Sequence, residues 1–542
     1  MDTQQIFSGR TETLSLLKKR VMDLKEGYRQ NVALLGPRYV GKSSVLEHFI
    51  SNLDDEEILV IYLDLEQKDF HYFYSKFITS LLYNFAKIKK LPLQEDLNLL
   101  LETTKPLIPQ TVEVIKKIRQ DFTENKIAEA YLGLLTLPEV FTNEAEKFCV
   151  LILDEFQNLE DFPLKNVFQN LGNKIMTQKR CLYVISSSYQ NLAKKILAEK
   201  LSLLFGNFEM SFLEPFDLQN SQAFIEHNLK SIKVGAQLRN FLTDFTGGHP
   251  LSLNLICQEL INLSAIHKQN EIFMPLMAQA IENTIFEKWG VLSRHFELII
   301  NEICQGRGNR GPAVILMALS NGKHKIVELL EEVKTGKNQL TQKLNRLLDT
   351  GVIVKNENFY YFKDKLFKYW IKYVYQKRMR DIELSPDKQR KQFKEEFNRC
   401  FENFNHTARK DFSLRIMELL HCFDNEAFQL NGRTYKLPVF RELELLKFKN
   451  QNGGSFDVIK ASSDGEAWFI VPKKDNLAEH DVQLVLSESK SIARNFKRCL
   501  IISLSDLDEN TRLKALQERC WIWNEGELNA LLNLFDKPYI LK

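Results

Sequence analysis

Gly36-Pro37-Arg38-Tyr39-Val40-Gly41-Lys42-Ser43 satisfies every fixed position of the pattern G-x-x-x-x-G-K-[ST]. Glycines at those two positions let a backbone wrap around phosphate oxygens with several N–H groups turned inward. Lys42 would bring a cation to the β- and γ-phosphates of ATP, and the Ser43 hydroxyl would ligate Mg²⁺. Pro37, Arg38 and Ser44 belong to the same loop and are expected beside the nucleotide, with Lys42 exposed in it. A second motif, Cys149-Val150-Leu151-Ile152-Leu153-Asp154-Glu155, is an apolar run ending in two carboxylates. Asp154 would hold Mg²⁺ with Ser43, and Glu155 would polarise the attacking water. Ser186, Ser187 and Ser188 close a later apolar run. A polar residue there can sense a γ-phosphate, with Ser186 the first candidate, or can simply mark the end of a strand.

These residues need a parallel sheet to bring them together. NVALL from Asn31 to Leu35 reads as a strand leading into the glycine loop, with VLEHFISNL as the helix after it. EILVIYLDLE from Glu57 to Glu66, FCVLILDEF ending at Phe156 and RCLYVISSS ending near Ser188 are further strands. A long helical insert between Phe70 and Lys147 separates the second and third of them. Strands alternating with helices predict an α/β core with a parallel sheet. From Gly311 to Tyr375, three short helices followed by two strands in VIVKNENFYYFKD predict a winged helix. The charged run from Gln376 to Glu396, containing Pro386, reads as a linker. The expected division is an ATPase core with helical insert over 1–215, a helical lid over 216–300, a winged helix over 301–378, a linker over 379–396 and an α/β domain over 397–542.

Composition sets the outer limits. A chain of 542 residues is too long for one hydrophobic core. With 44% hydrophobic and 26% charged residues it has the profile of a globular protein. The 73 basic and 70 acidic residues give a net charge of +3, so any grip on nucleic acid must come from a local basic surface. The eight cysteines are scattered without a C-x-x-C pair, which argues for buried thiols in a reducing compartment rather than disulfides or a zinc knuckle. No apolar run is long enough to span a membrane, and the N-terminus lacks signal-peptide character, so no membrane partner and a cytoplasmic location are expected.

Taken with the motifs above, several segments resemble the archaeal-type ATPases of the STAND branch of AAA+-related NTPases. Phe7-Ser8-Gly9-Arg10 with Glu12 is similar to the family's N-terminal segment, which implies that Gly9 and Arg10 lie against the nucleotide. Leu151 to Glu155 is similar to its Walker B strand. Thr246-Gly247-Gly248-His249-Pro250 resembles its lid motif, which implies that His249 and Pro250 approach the nucleotide. Asp364 with LFKYWIKYV resembles its segment after the wing. Leu203-Leu204-Phe205-Gly206-Asn207 departs from the family, which commonly places an arginine where this chain has Asn207. An asparagine cannot stabilise charge developing on a γ-phosphate, so hydrolysis is expected to be slow unless another arginine, such as Arg10 or Arg180, serves.

The last domain resembles the restriction-endonuclease-like fold. An active version needs two carboxylates for a metal and a lysine for the water. Asp457 in FDVIKAS and Lys473 in WFIVPKK fit two positions on what is expected to be one face, but Val471 stands where the second acid belongs. Glu402 and Glu466 are the substitutes available, and the domain is expected to be nuclease-dead. The third helix of the winged segment carries Lys337, Asn338, Gln339, Gln342, Lys343, Asn345 and Arg346, with Arg307 and Arg310 upstream. Such residues can meet DNA phosphates and base edges, or can simply be a solvated face. The leading functional reading is an ATP-hydrolysing molecular switch acting on double-stranded DNA, a protein partner or a second copy of itself. The alternatives are an ATP-regulated nuclease and a DNA-loading ATPase of the origin-recognition or transposition type.

Overall fold

The computed structural model describes residues 9–66, 69–201, 206–304, 311–380, 385–449, 455–475 and 477–540. Phe7 and Ser8, Leu203 to Phe205, and Arg307 and Arg310 lie outside the described residues. Contacts divide the chain into two compact units. The first is Met1–Phe224 joined by two short stretches from later in the chain, His249–Leu251 and Leu348–Gly351. The second holds Ile225–Gly248, Ser252–Leu347 and Val352–Lys542.

The first unit opens with helix α1 (Thr11–Lys25) and strand β1 (Asn31–Leu35), and the glycine loop leads into α2 (Lys42–Ser51). Strands β2 (Ile58–Asp64), β3 (Phe148–Asp154), β4 (Cys181–Ser187) and β5 (Phe208–Phe212) complete a five-stranded sheet in the order β2-β3-β4-β1-β5. Every pairing in it is parallel. A parallel sheet is covered on both faces, so its central strands are apolar throughout rather than alternating. Leu59, Ile61, Leu63, Leu151, Leu153, Tyr183 and Ile185 turn to one core. Val32, Leu34, Val150, Ile152, Leu182 and Val184 turn to the other, against Val45, Leu46 and Phe49 of α2. β5 is an edge strand in which only Phe208 is buried and the later side chains alternate between half-buried and exposed, which is why FEMSF carries no strong strand signal. The helical insert is four helices between Phe70 and Glu144. Phe70, Phe73, Tyr131 and Phe162 form its aromatic centre, and Tyr74 stacks on Phe122 at 4.3 Å.

In the second unit, helices Gly311–Ser320, Ile326–Val333 and Lys337–Asp349 (the last up to Leu347) precede an antiparallel hairpin of Ile353–Asn356 and Phe359–Phe362. The segment read as a linker is instead helical from Pro386 to Ala408. Proline suits the first turn of a helix, and the Lys, Gln, Arg and Glu that suggest a solvated tether are good helix formers. Phe393, Phe397 and Phe404 recur at helical spacing and are buried, with Phe397, Phe401 and Phe404 ringed around Phe241. A five-stranded mixed sheet follows: Glu442–Lys449, Ser455–Ser463 and Glu466–Lys473 run antiparallel, then Phe496–Ser503 and Trp521–Trp523 add in parallel. Phe359 of the hairpin lies in the same apolar core as Phe423, Phe428 and Trp523, so hairpin and sheet share one interior.

The end of the chain is pinned within this unit. Lys365, half-buried, meets Asp244 at 2.9 Å and lies over the Tyr539 ring. The Tyr539 N–H donates to the same carboxylate oxygen of Asp244. Asp536 takes both Lys368 and His324. Burial alone would raise the Asp536 carboxyl, yet those two partners bring it down to about 2. No helix among the described residues is long and apolar enough to cross a membrane.

Candidate ATPase site

The strand order places the chemistry. β4 lies between β1 and β3, so the C-terminal ends of three adjacent strands present Gly36, Asp154 and Ser188 along one sheet edge. Gly36 is required sterically: a Cβ there would sit 2.6 Å from the Leu213 carbonyl oxygen. Gly41 takes φ +98° at the N-cap of α2, a conformation that L side chains rarely adopt. Together they aim the first turn of α2, and its free N–H groups, back at the loop.

Lys42 is not exposed as expected; it is buried, with 4% of its surface accessible. Its Nζ donates to the carbonyls of Gly36 (3.2 Å) and Pro37 (3.1 Å) and to Ser188 Oγ (2.7 Å), and lies 3.6 Å from Glu155. Burial pushes the Lys42 ammonium pKa down, against the pull of Glu155 and Asp154. The tight loop folds the side chain along its own carbonyls, an arrangement invisible in a spacing pattern.

Asp154 is also buried, and three hydroxyls converge on it. Ser43 donates to Oδ2 at 2.7 Å, Tyr62 donates to the same oxygen at 2.8 Å, and Ser186 donates to Oδ1. Glu155 takes left-handed backbone angles, φ 54° and ψ 46°, which turn its carboxylate away from the strand direction. That carboxylate accepts from the Ser188 N–H (3.0 Å), the Ser188 hydroxyl and Gln157 Nε2 (2.8 Å). Of the three serines, Ser188 is therefore the one joined to Lys42 and Glu155, whereas Ser186 serves Asp154.

The remaining sequence candidates surround this edge. Arg38 stacks over Tyr189 and donates to its hydroxyl, and Ser44 is exposed in the first turn of α2. His249 Nε2 lies 3.1 Å from the Arg38 carbonyl oxygen, and Pro250 begins the helix that follows. Gly9 abuts Asn220. Arg10 donates to the carbonyls of Val40 (3.1 Å) and Glu214 (2.8 Å) and lies over Phe216. Arg180 precedes β4 and donates to the Thr142 carbonyl. It sits at the opposite end of that strand from Ser188, about 26 Å away at 3.3 Å per residue. Sequence reasoning misses Tyr62, Gln157 and Tyr189, because a tyrosine in an apolar strand or a glutamine after an acid carries no pattern.

The candidate nuclease residues do not assemble. Asp457 shares a sheet face with Ile459 and Ala461 and accepts from Ser413. Lys473 shares the other face with Phe469 and Val471 and lies over the Phe456 ring. Glu466 pairs with Lys497 at 2.8 Å. The expectation of one shared face is overturned by the hairpin register, which pairs Ile459 with Ile470. Odd-numbered residues of one strand therefore share a face with even-numbered residues of the next.

Residues 7–256 match a protein-family model described as an ATPase domain predominantly from Archaea. Over this segment the chain is similar to archaeal-type P-loop ATPase domains. That similarity implies nucleotide binding, and Mg²⁺ is typical of such ATPases. No curated protein matches the sequence. Among solved structures, the Walker-type ATPase of Pyrococcus abyssi is 16% identical with a TM-score of 0.49, covering 68% of this chain and 97% of its own. The ORC2 protein of Aeropyrum pernix is 11% identical with a TM-score of 0.43, covering 70% and 97%. The RuvB Holliday junction branch migration motor of Thermotoga maritima is 14% identical with a TM-score of 0.35, covering 68% and 96%.

Proposed function

We propose that this chain is a Mg²⁺-dependent, ATP-hydrolysing molecular switch. In this reading the Gly36–Ser44 loop cradles the phosphates and Lys42 meets the β- and γ-phosphates. Ser43 and Asp154 suit Mg²⁺: they are hard oxygen donors 2.7 Å apart, and the buried Asp154 charge is met by neutral hydroxyls. The ion would neutralise phosphate charge. Glu155 polarises the attacking water, and Ser188 reports on the γ-phosphate. Arg10 is spent on backbone carbonyls and Arg180 is remote, so neither replaces the arginine that Asn207 lacks, and turnover by the isolated chain is slow.

The observation that supports a switch is the position of Ser188. Its hydroxyl binds Lys42 and Glu155, while Ser188 itself and helix Gln190–Lys195 just after it touch one of the two late stretches that fold with the first unit. Asn191 Nδ2 donates to the Leu348 carbonyl at 3.2 Å, and a Cβ on Gly351 would lie 3.7 Å from the Ser188 carbonyl oxygen. A phosphate that draws on Lys42 competes directly with Ser188. Whatever shifts Ser188 shifts helix Gln190–Lys195 and with it Leu348–Gly351, the end of helix Lys337–Asp349 and the start of the turn before the hairpin.

The test is Asn191→Ala. ATP binding and hydrolysis should stay within about threefold of wild type, a change under about 1 kcal/mol. The ATP-dependent change in amide exchange across residues 337–362 should disappear. Persistence of that change in Asn191→Ala refutes the coupling, and its absence from wild type refutes the switch. Duplex DNA is the partner class that helix Lys337–Asp349 suits best, through exposed Lys337, Asn338, Gln339, Gln342, Asn345 and Arg346. The hairpin tip is not free to join it, because Asn356, Glu357 and Asn358 bond to Gln429 and Glu426.

A further inference from the structure

Strand β2 is the edge strand next to β3, and its side chains alternate. Leu59, Ile61 and Leu63 enter the core beneath the helical insert, while Val60 and Tyr62 turn to the face covered by α2. Packing alone would be served by any large apolar residue at position 62. This tyrosine also makes a polar contact, since its hydroxyl reaches past its register neighbour Ile152 to Asp154 Oδ2, at 2.8 Å.

Oδ2 is the oxygen that Ser43 also uses, at 2.7 Å. Ser43 comes from α2, Tyr62 from β2 and Ser186 from β4, so three separate elements fix one carboxylate on β3. Two donors on Oδ2 leave that oxygen little rotational freedom. Through it they also fix the Ser43 hydroxyl, since Ser43 keeps its lone pairs for another partner only while its proton points at Oδ2. Remove the Tyr62 hydroxyl and Asp154 keeps its charge and its Ser186 bond, but Oδ2 is held from one side only.

We infer that Tyr62 is a positioning residue for Mg²⁺, acting through Asp154 and Ser43 rather than touching the ion or the nucleotide. This inference rests on the proposed ATPase reading. It separates Tyr62 from Gly36 to Lys42, whose contacts would serve the phosphates whether or not a metal accompanies them. Groups that orient a metal ligand from behind typically control metal affinity by about 10–100-fold.

Tyr62→Phe keeps the ring and removes only the hydroxyl, so the core beneath α2 is retained. Binding of a fluorescent ATP analogue is measured in EDTA and then across a Mg²⁺ titration, with a Mn²⁺ titration alongside. The expected result is unchanged affinity in EDTA and a half-saturating metal concentration raised about tenfold or more, for both ions. A purely structural role would instead weaken binding equally with and without metal. Equal metal dependence in Tyr62→Phe and wild type overturns the inference while leaving the ATPase reading standing. Failure of wild type to bind the analogue under any condition overturns both.

Discussion

Replacing Glu155 by glutamine tests the chemistry with the least disturbance of the fold. The carboxylate accepts three hydrogen bonds, from the Ser188 N–H, the Ser188 hydroxyl and Gln157, and lies 3.6 Å from Lys42. A glutamine Oε1 can still accept from the Ser188 N–H, and its Nε2 can donate to the Ser188 hydroxyl oxygen. Gln157 then faces a neutral group in place of an anion and forfeits the charge-assisted part of its bond, about 1 kcal/mol. The site should therefore survive. Removing one negative charge beside Lys42 leaves ATP binding unchanged or somewhat tighter, because that anion would repel the γ-phosphate. Turnover is another matter. An amide has no basicity, and loss of a positioned general base costs about 10²–10⁴-fold. At about 1.36 kcal/mol per tenfold, that is about 3–5 kcal/mol on the barrier. Single-turnover phosphate release, measured beside equilibrium ATP binding, reads both quantities. Turnover within about threefold of wild type in a variant that binds ATP would refute Glu155 as the base.

Two further outcomes are expected. Asp457→Ala should leave ATP turnover unchanged and the protein without metal-dependent DNA cleavage, because Asp457 and Lys473 lie on opposite sheet faces; plasmid nicking in Mg²⁺ or Mn²⁺ that is lost in Asp457→Ala would contradict this. Acid should weaken the second unit through Asp536, whose carboxyl is held down to about 2 against an unfolded value of about 3.9. A depressed folded pKa means the stabilisation is complete above about pH 4 and is lost as pH falls toward about 2, so Asp536→Asn should flatten the acid-unfolding curve in that window, followed by the fluorescence of Trp521 and Trp523. Identical acid curves would show that the His324 and Lys368 contacts carry no net stability.

What is legible in the sequence is what chemistry fixes by residue type and spacing. The glycine loop needs Gly36, Gly41, Lys42 and Ser43 at set intervals, and an apolar run ending in Asp154 and Glu155 has few other uses beside it. Which serine meets which acid depends on strand order instead. Because β4 inserts between β1 and β3, Ser186 falls on Asp154 and Ser188 falls between Lys42 and Glu155. No local pattern encodes that insertion. Tyr62 is hidden for the same reason, since its partner is 92 residues away. The helix from Pro386 escapes any reading that weighs charge above the spacing of Phe393, Phe397 and Phe404, although a charged sequence with buried phenylalanines on one face is an amphipathic helix. Asp457 and Lys473 look paired by their order along two strands, but only the hairpin register decides which faces coincide.

Lys42 has four neighbours and one positive charge. Two backbone carbonyls, Ser188 and Glu155 share it, in a setting where burial already disfavours the charged form. A γ-phosphate brings more negative charge than any of them, so it takes Lys42 from Ser188 before it disturbs the loop carbonyls, which the backbone holds in place. Ser188 then retains only Glu155, and Glu155 loses the cation that steadied it. In the proposed mechanism, engagement of the phosphate and release of the base would be two sides of one competition. The same serine leads into helix Gln190–Lys195, whose Asn191 donates to the Leu348 carbonyl. In the proposed switch, a single exchange of partners at Lys42 would both prepare the water's base and signal to the turn after helix Lys337–Asp349, without a separate sensor for each.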